Sequence, residues 1–188
     1  AKQMKPLIDL EIITRNNPIN KLGDNKKSGF EINDNLLRFY FTFLYKNASA
    51  LQMLGAEAFY DEYIAPVLTE FISRRFEGIC RDYFSLQGRA VKRRGVRNIG
   101  SYYYDDPVHR KNGEFDVVLE YADGYEIYEA KYYAQPMTLD EIHREVRQVE
   151  AIRELKVKQL GFIAINGFAE EESPYTYLNG KDIYAEEC

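Results

Sequence analysis

The stretch that decides the fold runs from Gly113 to Tyr133 and reads GEFDVVLEYADGYEIYEAKYY. Its two halves are rich in Val, Ile, Tyr and Phe, which favour strands, and an Asp-Gly pair between them favours a tight turn. The pattern predicts strands over Glu114–Tyr121 and Tyr125–Tyr133, joined by a three-residue loop at Ala122–Gly124. A β-hairpin is therefore expected at this point of the chain.

The segments on either side of this hairpin predict a layered structure. Upstream, Asn98–Tyr104 predicts another strand. Downstream, apolar residues at three- and four-residue spacing predict a helix over Thr138–Lys156. The apolar run Gln159–Asn166 then predicts a buried strand, parallel to the strand that precedes this helix. Strands on both sides of a helix imply an α/β fold with a mixed sheet flanked by helices.

The part of the chain before the sheet is expected to be largely helical. The side chains of Asn33–Asn35 can cap a helix predicted over Leu36–Tyr45, which is apolar nearly all round and is therefore expected to be buried. A second helical region is predicted over Ala56–Leu86, with a break or kink at Pro66.

Residues 7–32 predict a short strand, a turn-rich loop and a returning strand. A hairpin of this size cannot bury a face by itself. We therefore expect residues 1–35 to be an extended arm or the end of a module that is cut off at residue 1. Residues 36–188 are expected to form the helical region and the α/β domain.

The composition is that of an ordinary globular protein: 188 residues, 45% of them hydrophobic, with a formal net charge of -5. The most apolar run, Leu36–Tyr45, is shorter than the roughly 20 residues that a membrane span needs, so no membrane partner is predicted. Cys80 and Cys188 form neither a CxxC pair nor a disulfide framework, which favours a reducing, cytoplasmic location.

Charged residues of the hairpin are candidates for chemistry. Glu129 and Lys131 alternate with Ala130, so their side chains share one face of the strand. Asp116 lies on the partner strand and can come within reach of Glu129. Two carboxylates that hold Mg²⁺ or Mn²⁺, beside an ammonium group that offsets negative charge, suit phosphodiester hydrolysis. Glu77, on the preceding helix, is the candidate for a third carboxylate.

The same charges have a simpler explanation. Cross-strand pairing of opposite charges on a solvated face would place these residue types in the same pattern. An E-x-K triplet carries little information by itself, because a second one occurs at Glu154–Lys156 on the predicted helix. From spacing alone, a metal site and a surface charge pair both remain open.

The order of the motifs resembles the PD-(D/E)XK nuclease superfamily, which includes restriction endonucleases and archaeal Holliday junction resolvases. More closely, almost the whole chain is similar to domain-of-unknown-function family 234, the C-terminal domain that follows the ATPase module in archaeal-type ATPases, which also occur in bacteria. The matching stretches are RNNPI (15–19), GFEINDNLLRFYFTFLYKN (29–47), RFEGICRDYF (75–84), NIGSYYY (98–104), GEFDVV (113–118) and YEAKYY (128–133).

The resemblance implies a restriction-endonuclease-like fold in which Asp116 and Glu129 are metal ligands and Lys131 is the catalytic lysine. It implies Glu77 as the helix carboxylate and the carbonyl of Ala130 as a further ligand. It also implies that residues 1–35 include the remnant of a winged helix.

The chain departs from the superfamily pattern at one position, because Phe115 stands where a Pro commonly precedes the Asp. In some nucleases of the superfamily a helix Gln after the E-x-K contacts the site. That makes Gln148 a candidate in this chain.

A run of basic residues precedes the first predicted strand of the sheet, at Arg89, Lys92, Arg93, Arg94 and Arg97. Nucleic acid as a substrate needs a basic surface, and this run is the candidate despite the net negative charge. His109, Arg110 and Lys111 could extend it. A solvated loop without a ligand is the alternative.

These features lead to two functional hypotheses. The first is Mg²⁺-dependent cleavage of DNA phosphodiesters by the C-terminal part of an archaeal-type ATPase, with DNA and the upstream ATPase module as partners. The second is a catalytically inactive module that binds nucleic acid or protein and regulates the attached ATPase. A structural dimerisation domain, and hence a homodimer, is a third possibility.

Overall fold

The computed structural model of the chain describes residues 3–90, 92–106 and 111–185. The chain divides into two compact units. The first consists of Ala1–Asn17 and Gly23–Phe71, and the second of Pro18–Leu22 and Ile72–Cys188. The predicted division after residue 35 does not coincide with these boundaries.

The first unit begins with a short helix and a two-stranded hairpin. Helix α1 (Lys5–Asp9) has Pro6 in its first turn, where a backbone N–H is not needed. Strands β1 (Ile13–Asn16) and β2 (Gly29–Ile32) pair antiparallel, which confirms the predicted hairpin. The prediction that its first strand begins at residue 7 is wrong, because α1 occupies that position. The winged-helix interpretation stays a prediction.

The predicted cap of the next helix is confirmed. The Asp34 carboxylate accepts a hydrogen bond from the backbone N–H of Leu37 at 2.8 Å and so begins helix α2 (Asn35–Phe39). A π-helical turn (Tyr40–Leu44) and a 3₁₀ turn (Tyr45–Asn47) continue the helical path.

The second helical region starts earlier than predicted. Helix α3 (Ala48–Phe59) is kinked at Gly55, whose φ of +75° is open to glycine but rarely to other residues. A π-helical turn (Tyr60–Ile64) leads into helix α4 (Ala65–Arg89). Pro66 does not break this helix, because it lies in the first turn of α4. The irregularity falls in the π turn before it.

The expectation that Leu36–Tyr45 is buried all round is wrong. Phe43 is 3% exposed, but Leu36 is 75% and Tyr45 is 61% exposed. Only one side of the run packs, against a small core made of Phe43, Phe59 and Ile64 with Phe39, Leu68 and Phe71 around it. Among the described residues, no helix is both long enough and apolar enough to span a membrane.

The second unit contains a five-stranded mixed sheet of order β3-β4-β5-β6-β7. Its strands are β3 (Asn98–Asp106), β4 (Lys111–Tyr121), β5 (Gly124–Lys131), β6 (Val157–Ala164) and β7 (Thr176–Asn179). The pairs β3/β4 and β4/β5 are antiparallel, whereas β5/β6 and β6/β7 are parallel. The α/β class and the parallel β5/β6 pair are confirmed. Strand β7 and the short helix α6 (Gly180–Ile183) were not predicted, because four residues give too short a periodic signal.

The predicted hairpin between β4 and β5 is confirmed, with a tighter turn. Tyr121 pairs with Gly124, so the loop has two residues instead of three. A Cβ atom on Gly124 would lie 2.5 Å from the carbonyl oxygen of Lys156, which explains a glycine there. Helix α5 (Leu139–Glu150) begins at a capping box on Thr138 and ends before the predicted boundary at Lys156.

The two faces of the sheet pack against different helices because successive residues of a strand point to opposite sides. Helix α4 covers one face, in a core of Phe76, Cys80, Phe84, Val117, Leu119, Tyr128, Ala130 and Ile163. Helix α5 covers the other face, in clusters that include Val118, Ile127, Val149 and Leu155, and Ile142, Val146, Phe162 and Ala164.

The edge of the sheet at β3 is covered by residues 18–22. The Asn20 side-chain amide donates to the carbonyl of Tyr103 at 2.7 Å, and its oxygen accepts from the N–H of Tyr103 at 3.0 Å. Ile19 is buried beside it in the core. This segment pairs backbone groups that an open sheet edge would leave to solvent or to another chain.

Gly161 provides a test of how tightly the sheet packs on the α4 side. A Cβ atom at this position would lie 2.5 Å from Cε1 of Tyr128, the residue paired with it across β5/β6. We expect Gly161→Ala to lower the free energy of unfolding by about 1–3 kcal/mol, because the ring must shift in a close-packed core. Urea denaturation measures this value. Gly29→Ala, where no atom lies within 4 Å, is the matched control, and equal losses in both variants would contradict this packing.

Candidate active site

A β-bulge places Asp116 within the sheet. Gly100 pairs with Val118 and Tyr102 pairs with Phe115, so two residues of β4, Asp116 and Val117, face the single residue that separates the pairs on β3. Bulges interrupt the strict alternation of side chains and often lie next to functional sites. The sequence pattern alone predicted a regular strand here.

Asp116 and Glu129 approach each other across β4 and β5. Val117 pairs with Tyr128, and one step further in this register Asp116 comes opposite Glu129. The backbone N–H of Ala130 donates a hydrogen bond to the Asp116 carboxylate. Burial, and then the negative charge of Glu77, raise the pKa of Asp116 to about 7. Burial and the charge of Asp116 likewise raise the pKa of Glu129.

Glu77 of α4 is close enough to interact electrostatically with Glu129 and Asp116, and its role as a third carboxylate ligand stays a prediction. Burial raises its pKa; the charge of Arg81 opposes that rise, and the charge of Glu129 adds to it. The Arg81 guanidinium also donates to the backbone carbonyl of Asp116 at 2.7 Å. Arg81 therefore ties α4 to the bulged strand, and its role was not predicted.

Lys131 lies between two carboxylates. Its ammonium group forms an ion pair with Glu129, and Nζ lies 3.6 Å from Oε1 of Glu145 on α5. Burial alone would lower the pKa of Lys131, but these two carboxylates outweigh it and hold that pKa above its usual range. Lys131 is therefore charged at any physiological pH.

Glu145 is the residue that sequence reasoning missed. It is 9% exposed, and it occupies a position of the buried stripe of α5 between Ile142 and Val146. A charged residue at a position where the helical period demands an apolar one was the available signal. The sequence analysis named Gln148 of the same helix instead. Among the described residues, Gln148 makes no hydrogen bond or ion pair with Lys131.

The donor set agrees in part with a metal site. Within the described part of the chain, no three acidic, histidine or cysteine side chains are arranged as a metal-binding group. The structure does bring two crowded carboxylates together, and oxygen donors of this kind are those that Mg²⁺ prefers. Ala130 contacts Asp116 through its N–H, and the role of its carbonyl as a ligand stays a prediction.

The predicted basic run lies at the other end of α4. Glu77 and Arg89 are twelve positions apart, which corresponds to about 18 Å along the helix axis. Arg89, Arg94 and Arg97 are exposed, whereas Arg93 is half-buried and ion-paired with Glu126. Lys92 is exposed as well. Of the three residues named as an extension of this run, His109 and Arg110 lie outside the described residues, and Lys111 is the first residue of β4.

The chain belongs to domain-of-unknown-function family 234, described as "Archaea bacterial proteins of unknown function", which matches residues 40–149. The matched range includes every residue of the carboxylate and lysine cluster described above: Glu77, Asp116, Glu129, Lys131 and Glu145. The predicted membership in this family is thereby confirmed.

Two further proteins are similar over part of the chain. "Uncharacterized protein MJECL04" of Methanocaldococcus jannaschii is 31% identical over 81 residues, which are 43% of this chain and 18% of that protein. The chain thus spans less than a fifth of the length of this relative. A crystal structure of the protein of unknown function AF1548 covers 55% of this chain and 60% of that chain, with a TM-score of 0.40 and 18% sequence identity.

The raised pKa of Asp116 makes stability depend on pH. A carboxyl group that binds its proton more tightly in the folded state contributes full stability at low pH and loses it as pH rises through about 7. In EDTA we therefore expect the free energy of unfolding to fall between about pH 4 and about pH 7, the unfolded and folded pKa values of this group. Asp116→Asn removes one titrating group and flattens this slope, by at most about 1.4 kcal/mol per pH unit.

Urea denaturation at several pH values measures the slope. Asp82→Asn, an exposed carboxyl of the same unit, is the matched control and is expected to leave the slope unchanged. A slope that is identical in wild type and Asp116→Asn would show that burial does not raise the pKa of Asp116.

Proposed function

We propose that the second unit is a metal-dependent nuclease-like domain that cleaves DNA phosphodiesters. The observation that supports this most is the meeting of Asp116, Glu129 and Lys131 on adjacent strands, with both carboxyls at raised pKa. Burying like charges close together costs free energy. A functional site therefore explains the two buried carboxyl groups better than a solvent-exposed charge pair does.

Mg²⁺ or Mn²⁺ is the proposed cofactor, held by Asp116 and Glu129. Glu77 and the carbonyl of Ala130 are the proposed additional ligands. A divalent cation would offset the mutual repulsion of the carboxylates, and it would polarise a phosphate and lower the pKa of its bound water. The bound cation would thereby add to the charge compensation that Lys131 already provides.

Lys131 is proposed to act directly on the substrate. During hydrolysis, water adds to phosphorus, the ester P–O bond breaks, and negative charge grows on the phosphate oxygens. An ammonium group that stays protonated at every relevant pH can stabilise that charge. Before it can do so it must exchange its contact with Glu129 for one with the phosphate, and Glu145 keeps it in place during that exchange.

The wider context of the domain is also a proposal. The resemblance to archaeal-type ATPases suggests an upstream ATPase module in the same polypeptide, with DNA as the shared partner and the cytoplasm as the location. A homodimer is compatible with these proposals but is not required by them.

One observation favours the second candidate function, a catalytically inactive module that regulates the ATPase. The Lys131 ammonium group pairs with Glu129, one of the two carboxylates that would hold the cation. An internal ion pair of this kind can replace a metal and keep the cluster neutral. In that case the domain would bind nucleic acid or protein without cleaving it.

Cleavage of a labelled DNA duplex and of supercoiled plasmid, at millimolar Mg²⁺ or Mn²⁺, tests the proposal. We expect Asp116→Asn and Lys131→Met each to lower the rate on the order of a hundredfold or more, because Asp116 would hold the cation and Lys131 would stabilise the negative charge of the transition state directly. Glu154→Gln and Lys156→Met are matched controls, since they alter the other E-x-K triplet, whose charged residues are exposed. Both controls are expected to cleave like wild type.

Two results would contradict the nuclease proposal. Cleavage that survives in both Asp116→Asn and Lys131→Met would come from another site or a contaminant. A wild-type protein that binds DNA but neither cleaves it nor takes up Mn²⁺ in calorimetric titration would favour the regulatory module.

Glu145 is expected to position Lys131 without touching the substrate. Glu145→Gln keeps the size of the side chain but removes one of the two charges that hold the ammonium group. We expect kcat to fall about tenfold, equivalent to about 1.4 kcal/mol, with KM for DNA unchanged. Glu150→Gln, exposed at the end of the same helix, is the control. A rise in KM instead would indicate that Glu145 contributes to DNA binding.

A further inference from the structure

An open cleft lies where α4 ends and β3 begins. Its volume is ≈ 610 Å³, within the range of small-molecule and cofactor sites. The residues that line it include Arg89, Arg93, Arg94, Arg97, Val96 and Ile99. Four of these are arginines, and none of the described lining residues is acidic.

Arg93 is a structural part of the cleft. Its guanidinium pairs with Glu126, donates to the Tyr128 hydroxyl at 3.1 Å and to Gln87 at 3.1 Å, and lies 4.8 Å from the ring centre of Phe84. The Glu126 carboxylate neutralises its charge. Held on several sides, Arg93 joins the loop after α4 to strand β5.

The other three arginines carry the net charge of the cleft. Arg89, Arg94 and Arg97 are exposed, and none of them forms an ion pair with another described residue. Gly95, with a φ of +86°, turns the chain between Arg94 and Arg97. Three clustered positive charges on a chain of formal net charge -5 make a local site for anions.

The arrangement suits phosphate groups. A guanidinium presents a planar set of N–H donors that matches phosphate oxygens two at a time. Part of the remaining wall is apolar and is formed by Val96 and Ile99, which also pack against the core. Phosphate oxygens on the arginines and a sugar or base on the apolar wall would fill a cleft of this composition.

We propose that this cleft binds the phosphate groups of a nucleic-acid backbone at a site separate from the carboxylates. The inference deepens the proposed function and rests on it for the nature of the polymer. Along α4, about 18 Å separates the two sites, which corresponds to roughly five base-pair steps of 3.4 Å. The cleft thus anchors a duplex at a distance from the bond to be cut.

Fluorescence anisotropy of a labelled 30-base-pair duplex, in EDTA to prevent cleavage, measures binding by the cleft. We expect Arg94→Glu/Arg97→Glu to raise Kd at least tenfold. The slope of log Kd against log salt is expected to fall by about 2, since each lost phosphate contact contributes about 0.9. Arg147→Glu/Arg153→Glu makes the same change of charge at exposed positions on and after α5, which covers the opposite face of the sheet.

The outcomes separate this inference from the nuclease proposal. Equal losses in the control variant, or no binding by wild type, would overturn it. Binding of ATP or inorganic phosphate in calorimetric titration, with no binding of duplex, would overturn the backbone assignment in favour of a free phosphate compound. Duplex binding that depends on Arg94 and Arg97 and persists in Lys131→Met supports the cleft even if no cleavage is found. Circular dichroism confirms that each variant is folded.

Discussion

Two carboxyl groups held together out of water are the constraint around which the sheet unit is arranged. Asp116 and Glu129 repel each other, and burial removes the solvent that would screen that repulsion. Each nearby polar contact offsets part of this cost. The Ala130 N–H donates to Asp116, and the Lys131 ammonium pairs with Glu129. A sheet that buried these groups without such partners would be destabilised by several kcal/mol.

These partners come from elements far apart in the chain, so the cluster links the whole unit. Arg81 reaches from α4 to the backbone of the bulged strand, and Glu145 reaches from α5 to Lys131. The two helices cover opposite faces of the sheet, yet both contribute charge to one end of the central strands. The packing of α4 and α5 on the sheet therefore also positions the charged side chains of the cluster.

Helix α4 also organises the proposed nucleic-acid surface. Its middle presents Glu77 to the carboxylates, and its end presents Arg89 to the arginine cleft. Cations near a helix C-terminus are favoured by the helix dipole, so the basic end has a structural advantage as well as a proposed binding role. A rigid helix keeps the two sites at a constant separation, as a nuclease acting at a defined distance from its anchor would need. The family to which the chain belongs has no described function, and this pair of sites is a concrete hypothesis for it.

The sequence by itself determined the elements whose signals are local. The hairpin of β4 and β5, the parallel strand β6 and the cap of α2 follow from alternation, turn chemistry and local side chains. Short motifs named Asp116, Glu129 and Lys131 as candidates. Tertiary structure alone decided the bulge at Asp116, the approach of Glu145 to Lys131, the pairing of Arg93 with Glu126 and the exposure of Leu36. Each of these features depends on which element packs against the residue. The periodicity of the sequence shows which side of a helix or strand is apolar, but it does not show which other element packs against that side.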